Sequence, residues 1–185
     1  MSTIEELYLE RCKPDVEFND IWEHMGVLRG YGERVGTICE IGTRTGNSTT
    51  AFLAGLSSKA TPDRYGVMRS FDIADQKFTP PEMPFIDWRF VQADSHADDF
   101  KIPRCELLFI DGCHKYESVK ADLKQAERVW CYIILHDTSE ERDRTYGDGV
   151  CRAMDEFLQE NPEWAIIERF HNCNGLTVLG RNISP

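Results

Sequence analysis

The sequence predicts a single α/β domain, a Rossmann-like three-layer sandwich with a mostly parallel sheet of about seven strands and a C-terminal antiparallel hairpin. Three observations predict it. Strand-like and helix-like segments alternate along most of the chain, as in successive βαβ units. The run Leu107-Leu-Phe-Ile-Asp111 is almost continuously apolar, as suits a strand covered on both faces of a parallel sheet. Near the end, Asn172-Cys-Asn-Gly175 separates two β-like runs with residues that tolerate a tight hairpin turn. At 185 residues the chain can bury one sizeable core and is too short for two ordinary domains.

Taken in order, residues 3–12 and 18–30 read as two short amphipathic helices. In the second, Ile21, Trp22, Met25 and Leu28 recur at helical spacing, and Gly30-Tyr-Gly32 supplies a stop signal. Residues 1–34 are therefore expected to form a helical cap on an α/β core of residues 35–185. The first strand is 37–41, followed by a helix over 46–56 and a second strand over 67–72. Three prolines between Lys77 and Pro84 forbid a regular crossover helix there. Strands follow at 88–93 and 107–111. A helix over 116–129 places Val119, Leu123 and Ala126 along one face, and the fifth strand is 132–135. The polar stretch with Arg142, Arg144 and Tyr146 reads first as a solvated loop, with a lid or a contact to an anionic acceptor as the alternative. A helix over 149–159 leads to the hairpin strands 165–170 and 176–179.

Composition narrows the function classes. A formal net charge of -11 repels a phosphate backbone, which disfavours nucleic acid as the main substrate and favours small-molecule chemistry. Seven cysteines, an odd number with no C-x-x-C pair, fit neither a zinc site nor a disulfide framework. The start Met1-Ser-Thr-Ile-Glu-Glu has no basic or apolar leader region, and no apolar run approaches the ~18 residues of a membrane span. The expectation is a cytoplasmic protein with no membrane partner.

The chemistry concentrates where strands end, the edge at which open α/β sheets hold ligands. Gly36-Thr-Ile-Cys-Glu-Ile-Gly-Thr-Arg-Thr-Gly-Asn-Ser-Thr-Thr50 runs from a strand into a glycine-punctuated turn. Such a turn lets backbone N–H groups and a helix N-terminus approach a small polar ligand. Gly42, Thr43, Gly46, Asn47 and Ser48 are the candidate contacts, and Glu40 offers a carboxylate at the strand end. The turn lacks the middle glycine of G-x-G-x-x-G and the lysine of a P-loop. Asp72 follows about thirty residues on, where a carboxylate can accept both hydroxyls of a ribose. Asp94 and Ser95 close the third strand, where an adenine amino group can be bound.

The pattern E-x-G-x-x-x-G at a strand-to-helix turn resembles motif I of the class I S-adenosylmethionine-dependent methyltransferases. The later stretch Ile110-Asp-Gly-Cys-His-Lys-Tyr116, with His136-Asp137 downstream, resembles the I-D-G-D-H-x-Y group that includes macrolide-sugar O-methyltransferases and cephalosporin-cluster enzymes. The resemblance covers about residues 36–140. It implies S-adenosylmethionine as cofactor, Asp111 lining its site, His114 as the catalytic histidine, and Asp111 with Asp137 as ligands of a divalent cation such as Mg²⁺. His136 is a further candidate ligand, and its imidazole suits Zn²⁺, Fe²⁺ or Mn²⁺ better than Mg²⁺. Two departures stand out: Cys113 replaces the second Asp of the motif, and Trp130-Cys-Tyr132 replaces a Pro-Gly-Gly turn. The expected partner is a small methyl-accepting molecule, with a homo-oligomer as one way to complete its pocket. Two alternatives stay open at this stage. One is a nucleotide- or NAD-dependent enzyme on a similar fold, and the other is a cofactor-binding protein without transfer activity.

Overall fold

The structure is a computed structural model describing residues 3–16, 19–147 and 149–182. Seven strands, β1 (Thr37–Ile41), β2 (Gly66–Asp72), β3 (Ile86–Gln92), β4 (Cys105–Ile110), β5 (Val129–His136), β6 (Trp164–Phe170) and β7 (Leu176–Arg181), form one sheet in the order β3-β2-β1-β4-β5-β7-β6. The first five are parallel, and β7 runs antiparallel between β5 and β6. The order reverses between β1 and β4, which creates a crevice at their carboxyl ends.

Alternation along the strands splits the core into two layers. Ile38, Leu107, Phe109, Ile134 and Val178 pack with α1 (Ile4–Arg11), α2 (Met25–Arg34) and α3 (Asn47–Lys59). Cys39, Ile41, Leu108, Ile110, Ile133 and Leu135 pack on the other face with α4 (Tyr116–Leu123) and α6 (Val150–Glu160). The three-layer mixed sheet and the closing hairpin agree with the sequence expectation. No helix among the described residues is long and apolar enough to cross a membrane.

Three expectations need correction. The second N-terminal helix, expected at 18–30, is a 3₁₀ turn at Trp22–His24 followed by α2 at Met25–Arg34; Phe18 lies outside the described residues. Gly30 and Gly32 sit inside α2 and do not end it, and Gly32 serves a crossing with α3. A Cβ on Gly32 would lie 2.9 Å from the Phe52 carbonyl oxygen, and one on Gly55 would lie 2.3 Å from that of Arg29. The helix expected over 116–129 stops at Leu123, continues as a 3₁₀ turn over Lys124–Arg128, and gives way to a fifth strand that starts at Val129. The loop after β5 contains a helix, α5 (Glu140–Tyr146). Ser139 caps it by accepting the Arg142 N–H, acids fill its first turn, and Gly147 ends it in left-handed conformation.

Candidate active site

The turn after β1 is shaped by contacts that exclude side chains. Gly42 has φ +95°, and a Cβ there would fall 2.2 Å from the Asp111 carbonyl oxygen, so β1 and β4 close on each other with no room for one. Gly46 caps α3 at φ +79°, and its missing side chain leaves space for the Phe78 ring, 2.4 Å from where a Cβ would lie. Phe78 in turn lies under the Arg11 guanidinium, which donates to the Thr45 carbonyl at 2.7 Å and to Asn47 Oδ1 at 2.6 Å. Helix α1 thereby holds the turn from outside.

Glu40 points to the α3 side of the sheet and is fully buried. Its two oxygens accept the Ser48 and Thr49 hydroxyls, each at 2.6 Å. Burial raises its pKa to about 7 against those hydroxyls, which favour the ionised form. It underpins the turn and does not line either cavity of the crevice.

Asp72 ties the end of β2 to the same turn. One oxygen accepts the N–H groups of Thr43 at 3.0 Å and Arg44 at 2.9 Å, and the other accepts Ala74 N–H at 2.9 Å. Burial pushes its pKa up, but these N–H groups and the Gln76 amide together bring it below the ordinary value. A cavity of about 420 Å³ opens beside it, lined by Gly42, Asp72, Asp94, Ser95, Asp111 and Gly112. Asp94 is exposed and accepts the His96 N–H at 2.9 Å.

A second cavity of about 300 Å³ shares Gly42, Arg44, Asp111 and Gly112 with the first, and adds Asp20, Thr43, Asn47, Ser48, His114 and Arg142. Asp111 thus lies where the two meet. Behind it a charged cluster gathers residues from the ends of β4 and β5. His136 Nδ1 lies 3.2 Å from Asp111 Oδ1, and His114 Nε2 lies 2.8 Å from Asp137 Oδ2. Asp137 has a left-handed backbone, φ 58°, and its side chain is 1% exposed. Burial alone would lower the His114 pKa, but Asp111 and Asp137 outweigh it and raise the value to about 10. The same carboxylates raise His136 to about 9 against its burial. Burial also works against ionised Asp111, and the two imidazoles overcome it and hold its carboxyl well below the usual range.

The donor set fits a divalent cation. One oxygen or nitrogen from each of Asp111, His136 and Asp137 comes together; His136 Nδ1 lies 3.2 Å from Asp111 Oδ1 and 3.7 Å from Asp137 Oδ2, separations that two bonds of about 2.1 Å to one ion can span. His136 also donates from Nε2 to the Cys173 carbonyl at 3.0 Å, which keeps that proton in place and points Nδ1 at the carboxylates. Cys173 belongs to the β6–β7 turn, where the neighbouring Asn172 carbonyl accepts His24 Nε2–H at 3.0 Å. His24 packs edge-on against His136 with ring centroids 5.8 Å apart.

Sequence reasoning brought together Asp111, His114, His136 and Asp137, and it placed Gly42, Thr43, Asn47, Ser48, Asp72, Asp94 and Ser95 around one crevice. It passed over Thr49, Phe78 and His24, and it favoured a solvated loop for Arg142 over a lid or acceptor contact. The available signal for Arg142 was the Ser139-Glu-Glu helix start together with Gly147.

An open α/β sheet with its crevice at a topological switch point is the architecture in which nucleotide-type cofactors are commonly held, and here a buried acid–imidazole cluster backs that crevice. The chain belongs to a methyltransferase-domain family, which matches residues 39–138. Among solved structures, it is similar to an O-methyltransferase from Bacillus cereus in complex with SAH, at 16% identity and TM-score 0.62, covering 98% of this chain and 91% of that one. It is also similar to MycE of the mycinamycin biosynthetic pathway in complex with Mg and SAH, at 15% identity and TM-score 0.61, covering 99% of this chain but 56% of that one. A third is the O-methyltransferase TomG from Streptomyces achromogenes in complex with SAM, at 13% identity and TM-score 0.53, covering 96% of this chain and 87% of that one. No curated protein matches the chain.

Proposed function

We propose that this protein transfers a methyl group from S-adenosylmethionine to a hydroxyl of a small acceptor, with a divalent cation at Asp111, His136 and Asp137. The observation that carries the reading is the meeting of two cavities at Asp111, one bounded by Gly42, Asp72 and Asp94, the other by His114. Bound there, S-adenosylmethionine supplies an electrophilic methyl on a sulfonium, and the cation supplies Lewis acidity toward an acceptor oxygen.

The chain's residues do the rest. Gly42 lets the turn approach the donor closely, and Asp72 accepts the ribose hydroxyls as the Gln76 amide gives way. Asp94 and Ser95 face the adenine end, while Asn47 and Ser48 face the amino-acid end. Glu40 keeps the turn and the first turn of α3 in register through Ser48 and Thr49. His114 is the residue placed to receive the acceptor's proton at a ring nitrogen; a cation held by Asp111 and Asp137 would weaken the hold of those carboxylates on the imidazole's own proton. The crevice aligns acceptor oxygen and methyl, the larger part of what an in-line displacement requires.

The likeness to MycE in complex with Mg, SAH and mycinamycin VI supports a small-molecule acceptor. We further propose a cytoplasmic, single-domain protein without a nucleic-acid substrate, in which residues 1–34 cap the core. A homo-oligomer would complete the acceptor pocket.

The test is calorimetric titration of S-adenosylmethionine and S-adenosylhomocysteine into the protein, with and without Mg²⁺ or Mn²⁺. Binding in the micromolar range is expected, weakened about tenfold or more in Asp72→Ala through loss of charged hydrogen bonds. No binding under any metal condition would overturn the reading.

A further inference from the structure

Arg142 is the residue of the cluster that the proposed reaction leaves unused. It sits in the first turn of α5, shortly after the end of β5, and its side chain is 21% exposed. Its Nε lies 2.9 Å from Asp137 Oδ1, while its terminal nitrogen lies 3.2 Å from His114 Nδ1. Asp137 Oδ2 meets His114 Nε2 at 2.8 Å, so both oxygens of this carboxylate already face a positively charged or proton-donating partner. The guanidinium therefore lies against the carboxylate that the candidate cation site requires.

A guanidinium has donors only and keeps its charge at any ordinary pH, so it cannot become a ligand and cannot be neutralised. Beside a dication in a half-buried site it would be repelled, and a metal-bound carboxylate oxygen would be a poorer acceptor for it. The tether that would have to yield is short. Helix α5 has seven residues, starts at the Ser139 cap, and is joined to α6 by the bond from Cys151 N–H to Asp143 Oδ2 at 3.2 Å. All of its first three residues are polar and its apolar anchorage is small, which favours movement of α5 over distortion of β5.

We propose that Arg142 is a positioning residue that competes with the divalent cation for Asp137, so that metal occupancy and the docked position of α5 exclude each other. This rests on the cation site argued above and concerns how that site is regulated. Occupancy by the cation frees α5, uncovers His114 Nδ1 and opens the cavity it shares with Arg142. Withdrawal of the cation returns the guanidinium to Asp137.

The test uses Mn²⁺ alone as probe on the full chain. Its affinity is measured by calorimetry and by water-proton relaxation for the unmodified protein, Arg142→Gln and His136→Ala. Hydrogen exchange of the amides of residues 140–146 is followed with and without Mn²⁺. Arg142→Gln is expected to bind Mn²⁺ at least about tenfold more tightly. Mn²⁺ should speed exchange in α5 of the unmodified protein, whereas in Arg142→Gln that exchange is fast from the start and insensitive to the metal. Affinities within threefold of each other, or α5 equally protected with Mn²⁺ bound, would overturn the competition while leaving the cation site intact. Binding to none of the proteins would overturn the cation site and the competition with it, and binding undiminished in His136→Ala would do the same.

Discussion

Glu40→Gln should remove a pH dependence of stability that this one carboxyl creates. Glu40 is fully buried, and burial raises its pKa to about 7 from an ordinary 4.5. The folded state therefore keeps a proton that the unfolded chain has already lost across that interval. Stability from this group is fully present below the unfolded value and is lost as pH rises through the folded one. The size of the loss follows from the shift, about 3 kcal/mol at 1.36 kcal/mol per unit, and the hydroxyls of Ser48 and Thr49 are already counted in it. Glutamine keeps the shape and the acceptor oxygen without the charge. Urea unfolding of both proteins in metal-free buffer at several values between pH 5 and 8 isolates the effect, because other titrating groups such as the buried Asp122 are common to both. The unmodified protein should lose about 2–3 kcal/mol relative to the variant over that range, a relative fall of several degrees in Tm. Parallel stability curves, separated by a constant offset, would refute the reasoning and show that Glu40 is ionised in the fold without penalty.

Gly42→Ala places a Cβ 2.2 Å from the Asp111 carbonyl oxygen at φ +95°, so it should cost about 3 kcal/mol or more and spread β1 from β4. Differential scanning calorimetry reads the loss, and a Tm within two degrees of the unmodified protein would contradict it. Ser139→Ala removes the hydroxyl that accepts the Arg142 N–H and should weaken α5 by about 1 kcal/mol, seen as faster hydrogen exchange in residues 140–146 with little change elsewhere. Asp137→Gly and Asp137→Ala both delete the same carboxylate, but only alanine must hold a side chain at φ 58°. The glycine variant should be the more stable by about 1 kcal/mol in denaturant unfolding, and the reverse order would mean that the left-handed turn relaxes when the carboxylate is gone.

Much of this arrangement can be read from residue order, and the unread part has a common cause. β1 is found at the expected bounds because Thr37–Ile41 lies between a glycine and a glycine turn, with nothing nearby to extend it. The strand-end acids are legible because the fold class dictates where parallel strands deliver their last residues. The role of Glu40 is not, since nothing local says whether a strand residue faces the α3 layer or the crevice. Gly32 carries the same local signal whether it ends a helix or lets two helices touch, and only α3 across the way decides. α5 escaped because its seven residues have caps but no apolar period, and periodicity is what sequence reading weighs most. With α5 unread, Arg142 had no path to Asp137.

The backbone itself marks the edge of the sheet on which ligands are expected. Most left-handed residues gather there, at Gly42, Arg44 and Gly46 after β1, at Asp137 after β5, and at Cys173, Asn174 and Gly175 in the β6–β7 turn, while Phe85 before β3 and Gly147 after α5 lie apart. The last two of these places adjoin: the Thr138 N–H donates to the Gly175 carbonyl at 3.3 Å, and the Cys173 carbonyl accepts from His136. Each non-glycine residue in that conformation costs of order 1 kcal/mol, and the surrounding structure must hold it there. Neighbouring hydrogen bonds do so at both ends of the cluster, Asp72 to the N–H groups of Thr43 and Arg44, and Ser139 N–H to the Asn174 carbonyl at 2.9 Å. Held this way, the turns place Gly42 against Asp111 and the Cys173 carbonyl against His136. The crevice is thus organised by the chain alone, as the proposed alignment of a donor, an acceptor and a cation would require.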